Sequence, residues 1–272
     1  MGKIVWIASY PKSGNTWVRL FLMELLHAGA ARTPSRVQAF APNENAAAFY
    51  QPLLEGSASM ATEADLARVR PQAQALAASR QTYALLKTHN LRGTHLGTPT
   101  LDPAVTAAAV YMVRNPLDVV VSYAAFRKWS VDEAINRVIE PGRILPRAPG
   151  GSYMISGSWA ENVASWRTAG SEPVLTLRYE DCVADPAGCF GGLASFLRIP
   201  VSPADVGRAV AATSFDALAK AERESGFDER PAETDQFFRS GKIDTWKDKL
   251  TAAQVARVVD ACGVEMQRFG YC

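Results

Sequence analysis

Three side chains capable of acid–base or anion chemistry stand out by type and position: Lys12 in "YPKSGNTW", and Lys87 and His89 in "ALLKTHN". Lys87 and His89 are two residues apart, so both point to one side if the chain there is extended. A histidine beside a lysine suits removal of a proton from a nucleophile while the lysine steadies developing negative charge. The chain has three histidines. His27 closes an amphipathic helix before Gly29 and reads as a C-terminal dipole partner. His95 lies in the loop "RGTHLG". On the residues alone His89 and His95 are near equals as a base, and either is also explained as a hydrogen-bonded histidine closing a local element.

Lys12 sits in a turn between the apolar run Lys3 to Ser9 and a helix beginning near Gly14. A strand–turn–helix junction aims unsatisfied backbone N–H groups and a helix dipole at one point, which is an anion site. The Walker A pattern G-x-x-x-x-G-K-[ST] is only half present. Gly14 and Thr16 are kept, Asn15 stands where the lysine belongs, and no leading glycine exists. The second anion signal is "VYMVRNPLDVVVSY". Arg114 ends an apolar run, Pro116 suits a first helical turn, and Ser122, eight residues on, faces the same end. An acid at the end of a comparable strand would hold magnesium; Arg114 reverses that charge. The pattern therefore predicts a second phosphate held without metal.

These elements must be positioned by an α/β scaffold. Lys3 to Ser9, Tyr83 to Lys87, Ala107 to Val113 and Val174 to Leu177 read as strands, nearly continuous in apolar residues, as in a parallel sheet buried on both faces. Helical patterns over about Gly14 to His27, Pro116 to Lys128, Ser158 to Thr168, Asp185 to Leu197, Pro203 to Ala211 and Thr251 to Cys262 alternate with them. The expectation is one α/β domain over residues 1–272, a central parallel sheet flanked by helices. Three stretches fall outside it: the Ala-rich 33–81, the turn-rich 127–157 and the charged 222–247. The first two are candidate acceptor-site segments and the third a candidate lid.

The chain is 272 residues long with a net charge of +2, too weak for a nucleic-acid scaffold. No run of eighteen apolar residues predicts a membrane span, and no N-terminal stretch reads as a signal peptide. The four cysteines, Cys182, Cys189, Cys262 and Cys272, lack a C-x-x-C spacing and suggest idle thiols in a reducing compartment. A cytoplasmic protein is the plain expectation.

"YPKSGNTW" and "RNPLDVVVSY", in that order, resemble the two cofactor signatures of the sulfotransferases that use 3′-phosphoadenosine 5′-phosphosulfate (PAPS) and release adenosine 3′,5′-bisphosphate (PAP). In "GSWAENVASW" the chain is similar to short bacterial members, including those that tailor glycopeptide antibiotics. The resemblance implies that Lys12, Ser13, Gly14, Asn15, Thr16 and Trp17 hold the 5′-phosphosulfate end, and that Arg114 and Ser122 hold the 3′-phosphate. It assigns Tyr179 of "LRYEDC", and Thr213 and Phe215 of "TSFD", to the adenine side. The family's C-terminal signature is matched by "FFRSGKIDTWK" at Phe237, Arg239 and Gly241. Ser240 replaces its lysine there, leaving Lys242 as a substitute. The "KTH" match favours His89 as base, with Lys12, Lys87 and Ser122 completing the catalytic set. The implied acceptor is a hydroxyl or amine of a small molecule or natural product, with Phe49, Tyr50, Trp129, Tyr153 and Trp159 as pocket or core aromatics. The rivals are a small-molecule kinase and a non-catalytic nucleotide-binding protein.

Overall fold

The computed structural model describes residues 2–145, 151–168, 170–231 and 234–272. Residues 146–150 of the turn-rich stretch and 232–233 of the charged stretch lie outside it.

Four parallel strands form the central sheet: β1 (Lys3–Ser9), β2 (Tyr83–Thr88), β3 (Thr106–Val113) and β4 (Val174–Arg178), in the order β2-β1-β3-β4. The inner strands β1 and β3 bury both faces. Ile4, Trp6, Ala8, Ala109, Tyr111 and Val113 enter one core while Ile7, Val110 and Met112 enter the other. This two-sided burial is why these runs are apolar at every position rather than at alternate ones. At the edge, β2 alternates, with Ala84, Leu86 and Thr88 buried. Its outer side is met by a parallel bridge between Asn43 and Lys87.

Helices cover both faces. On one lie α1 (Asn15–Leu26), α6 (Tyr179–Ala184), α7 (Pro186–Phe196) and α8 (Pro203–Ala212). On the other lie α3 (Pro116–Arg127), α4 (Val131–Ile139), α5 (Trp159–Thr168) and α10 (Ala252–Arg268). Helix α9 (Phe215–Ser225) runs into the charged stretch and takes in its residues 222–225. The Ala-rich segment holds short helical turns and one long helix, α2 (Glu63–Ser79), opened by a capping box at Thr62 and Asp65. Pro71 stands inside α2, which hid its length from a periodicity reading. Two ribbons, Thr94–His95 with Thr98–Pro99 and Ile144–Leu145 with Met154–Ile155, are too short to leave a sequence pattern.

The strands end together at their carboxyl edge, where Ser9 pairs with Met112 and Val113 with Arg178. From β1 the chain passes first to β2 on one side and then to β3 on the other. The crevice outside the strand ends at such a reversal is where open α/β sheets bind ligands.

One expectation is corrected. Cys182 and Cys189 are joined in a disulfide, not idle, because the turn between α6 and α7 brings their Cα atoms to 5.3 Å. Cys262 is buried and free, and Cys272 is exposed and free. Among the described residues no helix is long and apolar enough to cross a membrane.

Candidate active site

The loop after β1 turns through two left-handed residues, Lys12 (φ 68°) and Gly14 (φ 107°), before α1 begins at Asn15. A Cβ on Gly14 would stand 2.8 Å from Cδ2 of Tyr179, so only glycine fits between loop and ring. Asn15, in the Walker lysine's place, is a structural clamp. Its Nδ2 donates to the Ile7 carbonyl at 2.9 Å and its Oδ1 accepts from Arg19 Nε at 2.9 Å. Arg19 is fully buried, and its Nη2 also donates to Thr16 Oγ1 at 3.2 Å. Arg19 follows Asn15 by four residues and so lies on the same face of α1.

The ends of β2 and β3 are fastened by one face of α5. Trp159 Nε1 donates to the Arg114 carbonyl at 3.1 Å, Asn162 Nδ2 to the His89 carbonyl at 3.1 Å, and Trp166 Nε1 to the Asn90 carbonyl at 3.1 Å. The spacing of these three residues is helical, which explains the "SWAENVASW" pattern in physical terms. The His89 ring is fixed as well, with Nδ1 2.8 Å from the Ser9 carbonyl. A carbonyl only accepts, so Nδ1 carries the proton and Nε2 keeps its lone pair. The ring lines the cavity yet is largely shielded, and burial, with Lys87 adding repulsion, lowers its pKa to about 3.

A cavity of about 940 Å³ opens at this edge. His89 lines it together with Lys12, Lys87, Arg114 and Ser122. His95 does not; it pairs with Glu63 away from the cavity. The Lys12 ammonium lies 3.6 Å from the centre of the Phe126 ring and 4.7 Å from that of Phe237. Burial, then Arg114 and Lys87, lower its pKa to about 7. Arg114 stacks over Tyr179 at 4.4 Å and donates to the carbonyls of Lys12 and Lys242, at 3.3 and 2.9 Å. Its Nε is buried without a partner. Two cations on one cavity, Lys12 with its depressed pKa and Arg114 with an unpartnered Nε, describe a receptor for a polyanion.

On the adjoining side Trp17 meets Tyr179 edge-on at 5.8 Å, and Phe215 packs under Gly241. Gly241 has φ 63°, and a Cβ there would lie 2.5 Å from the Phe215 ring. The segment over the cavity is anchored at both ends by buried carboxylates. Glu222 accepts from the Phe237 and Phe238 amides at 2.7 and 3.0 Å. Asp118, in the first turn of α3, accepts from the Asp244 amide at 2.8 Å and Thr245 Oγ1 at 2.7 Å.

The chain matches the sulfotransferase domain family over residues 3–270. It belongs to the sulfotransferase family. Sulfotransferase 1A1 of Bos taurus is 29% identical over 257 residues, covering 91% of this chain and 78% of its own. Cytosolic sulfotransferase 1 of Danio rerio is 27% identical over 259 residues, covering 91% and 77%. The fold is shared with a retinol dehydratase solved with retinol and PAP, at TM-score 0.66 and 20% identity, over 97% of this chain and 81% of that one.

In this sulfotransferase the cavity gathers Lys12, Gly14, Asn15, Thr16, Trp17, Arg114, Ser122 and Tyr179 with Thr213, Phe215, Phe237, Arg239, Ser240 and Gly241. Ser13 is apart: it is fully buried, does not line the cavity, and its hydroxyl has no partner. Lys242 is exposed and offers Arg114 its carbonyl rather than its charge. The five proposed pocket aromatics do not line the cavity, and Tyr50 and Trp159 are core residues. Tyr123 and Phe126 of α3 line it beside the aromatics already named. Sequence reasoning also missed Glu229, whose carboxylate lies against Lys87 at 3.1 Å. Nothing in "GFDERPAE" marks it.

Proposed function

We propose that this sulfotransferase transfers the sulfuryl group of PAPS to a hydroxyl or amine of a small-molecule acceptor, with His89 as the general base. The observation that carries the reading is the His89 ring, locked as the Nδ1–H tautomer by Ser9, on the wall it shares with Lys12, Lys87 and Arg114. When bound, PAPS supplies an activated sulfuryl group with PAP as its leaving portion.

The residues present fit such a donor. The partnerless Arg114 Nε and the Ser122 hydroxyl suit a 3′-phosphate, while Lys12 and the amides entering α1 suit the 5′ end. Tyr179, Thr213 and Phe215 line the part of the cavity suited to adenine, next to Trp17 and with Phe237, Arg239, Ser240 and Gly241 beside them. His89 Nε2 would take the acceptor's proton, a step worth ~10²–10⁴ in rate. Lys12 and Lys87 would meet the charge that grows as the sulfuryl group leaves, and Ser122 completes that set.

The remaining wall belongs to the acceptor. Gln38, Asn43 and Asn45 come from the Ala-rich segment, and Leu145, Ser152 and Met154 from the turn-rich one. This supports both as acceptor segments of one domain over residues 1–272, with 222–247 as its lid. Their mixture of amide and apolar side chains suits a partly apolar molecule with one reacting polar group. The test is mass detection of sulfated product from PAPS and an acceptor panel, with a chelator present throughout. No product on any acceptor, or product only after magnesium is restored, would overturn the reading.

A further inference from the structure

The Glu229 carboxylate accepts five hydrogen bonds from four side chains, three of which, Thr16, Gln38 and Lys87, line the cavity beside it. It accepts from Arg19 Nη2 at 2.7 Å to both oxygens, from Lys87 Nζ at 3.1 Å, from Gln38 Nε2 at 2.9 Å and from Thr16 Oγ1 at 3.0 Å. Its side chain is 7% exposed, that of Arg19 0% and that of Lys87 12%. Thr16 and Lys87 are the groups to which the donor's 5′ end is assigned above. A carboxylate carries the charge and paired oxygens that a phosphate or sulfuryl edge would present to the same donors.

The geometry points to Glu229 as an internal competitor, an anion that fills the cation cluster of the donor-free enzyme and must yield its place to the 5′-anion of the donor. This rests on the PAPS reading of the site. Two anions cannot share Thr16 and Lys87 in a shielded cavity without strong repulsion. The chain offers a way out, since α9 ends at Gly226, φ 76° and ψ 176°, three residues before Glu229. Withdrawal would leave Arg19 and Lys87 unmatched unless the arriving ligand brings its own anion to that point, so a ligand without a 5′-anion leaves Glu229 in place. The contact thus costs affinity for every ligand with a 5′-anion and leaves a ligand without one untouched.

A structural counter-ion and a competing anion differ in the sign of one effect. Glu229→Gln keeps the shape and removes the charge. The proposal expects PAP to bind about tenfold tighter to Glu229→Gln than to the wild-type enzyme. Adenosine 3′-phosphate, which has no 5′-anion, should change by less than about threefold. The thermal midpoint should fall at the same time, because Arg19 loses its counter-charge. Should the variant not fold, Glu229→Asp keeps the charge with a shorter reach and should shift PAP affinity in the same direction by less. Calorimetry with both nucleotides decides it. Weaker or unchanged PAP binding in a folded variant, or an equal gain for adenosine 3′-phosphate, overturns the proposal. Wild-type enzyme that binds no PAP at all overturns the donor reading itself.

Discussion

Nδ1 of His89 is held 2.8 Å from the carbonyl oxygen of Ser9, so the sheet itself dictates which nitrogen of the imidazole is free. The bond spans β1 and the residue after β2, neighbours in the sheet, and it cannot form with the other tautomer. The same enclosure, chiefly burial and then Lys87, lowers the His89 pKa to about 3. A lowered pKa means that the neutral, proton-accepting form prevails through the whole neutral range. The acid limb of kcat/KM should therefore fall below about pH 5 rather than near the ordinary histidine value of about 6.5. A pH–rate profile with its acid midpoint between about 6 and 7 would refute this.

Lys12 predicts a proton linkage of the opposite kind. Burial, followed by Arg114 and Lys87, lowers its pKa to about 7 in the donor-free enzyme. Bound phosphate favours the charged ammonium, so its pKa rises in the complex. PAP binding should then take up a proton above pH 7, and affinity should fall by up to about tenfold per pH unit over that range. Below pH 7 affinity should be flat with respect to this group. Calorimetry in buffers of different ionisation enthalpy reads the proton directly; no uptake at pH 8 would refute it.

Arg114 should discriminate nucleotides. Its buried Nε has no partner within the protein, which suits a ligand oxygen. Arg114→Ala should cost PAP about 2–5 kcal/mol and 5′-AMP far less, since the contact is assigned to the 3′-phosphate. Equal losses for the two ligands would remove that assignment.

The segment 222–247 should tighten over the nucleotide. Glu222 holds the Phe237 and Phe238 amides and Asp118 that of Asp244, leaving residues 239–243 between them to move as a flap. Hydrogen exchange at Ser240 and Gly241 should slow on addition of PAP. Exchange unchanged at both would mark an ordinary surface loop.

Much of this was readable because local chemistry decides it. The run Lys3–Ser9 is a strand in the sequence and in the fold, as its burial on both faces requires. The loop at Lys12 and the Arg114–Ser122 pair were legible because a strand–turn–helix junction writes glycine, hydroxyl and basic residues into a few consecutive positions. Glu229 and Arg19 were not, since their meeting depends on a segment more than two hundred residues away folding back across α1. Arg19 alone carried a faint signal, its four-residue step from Asn15. Which aromatics reach the cavity was not legible, because Phe49, Tyr50, Trp129, Tyr153 and Trp159 carried pocket and core readings alike until the fold turned Tyr123 and Phe126 toward it. The Cys182–Cys189 pairing was hidden because seven residues of separation mean nothing until the turn between α6 and α7 is known.

The central claim is that His89, and not His95, is the base of a sulfuryl transfer. His89 lines the cavity beside Lys12 and Lys87, whereas His95 is bound to Glu63 outside it. The direct measurement is transfer of labelled sulfuryl from PAPS at saturating donor to one accepted acceptor, by wild type, His89→Ala and His95→Ala. The account predicts a loss of at least about 10²–10⁴-fold in rate for His89→Ala with PAP affinity nearly intact, and near-normal transfer by His95→Ala. Transfer at the wild-type rate by His89→Ala, or an inactive His95→Ala, would contradict it.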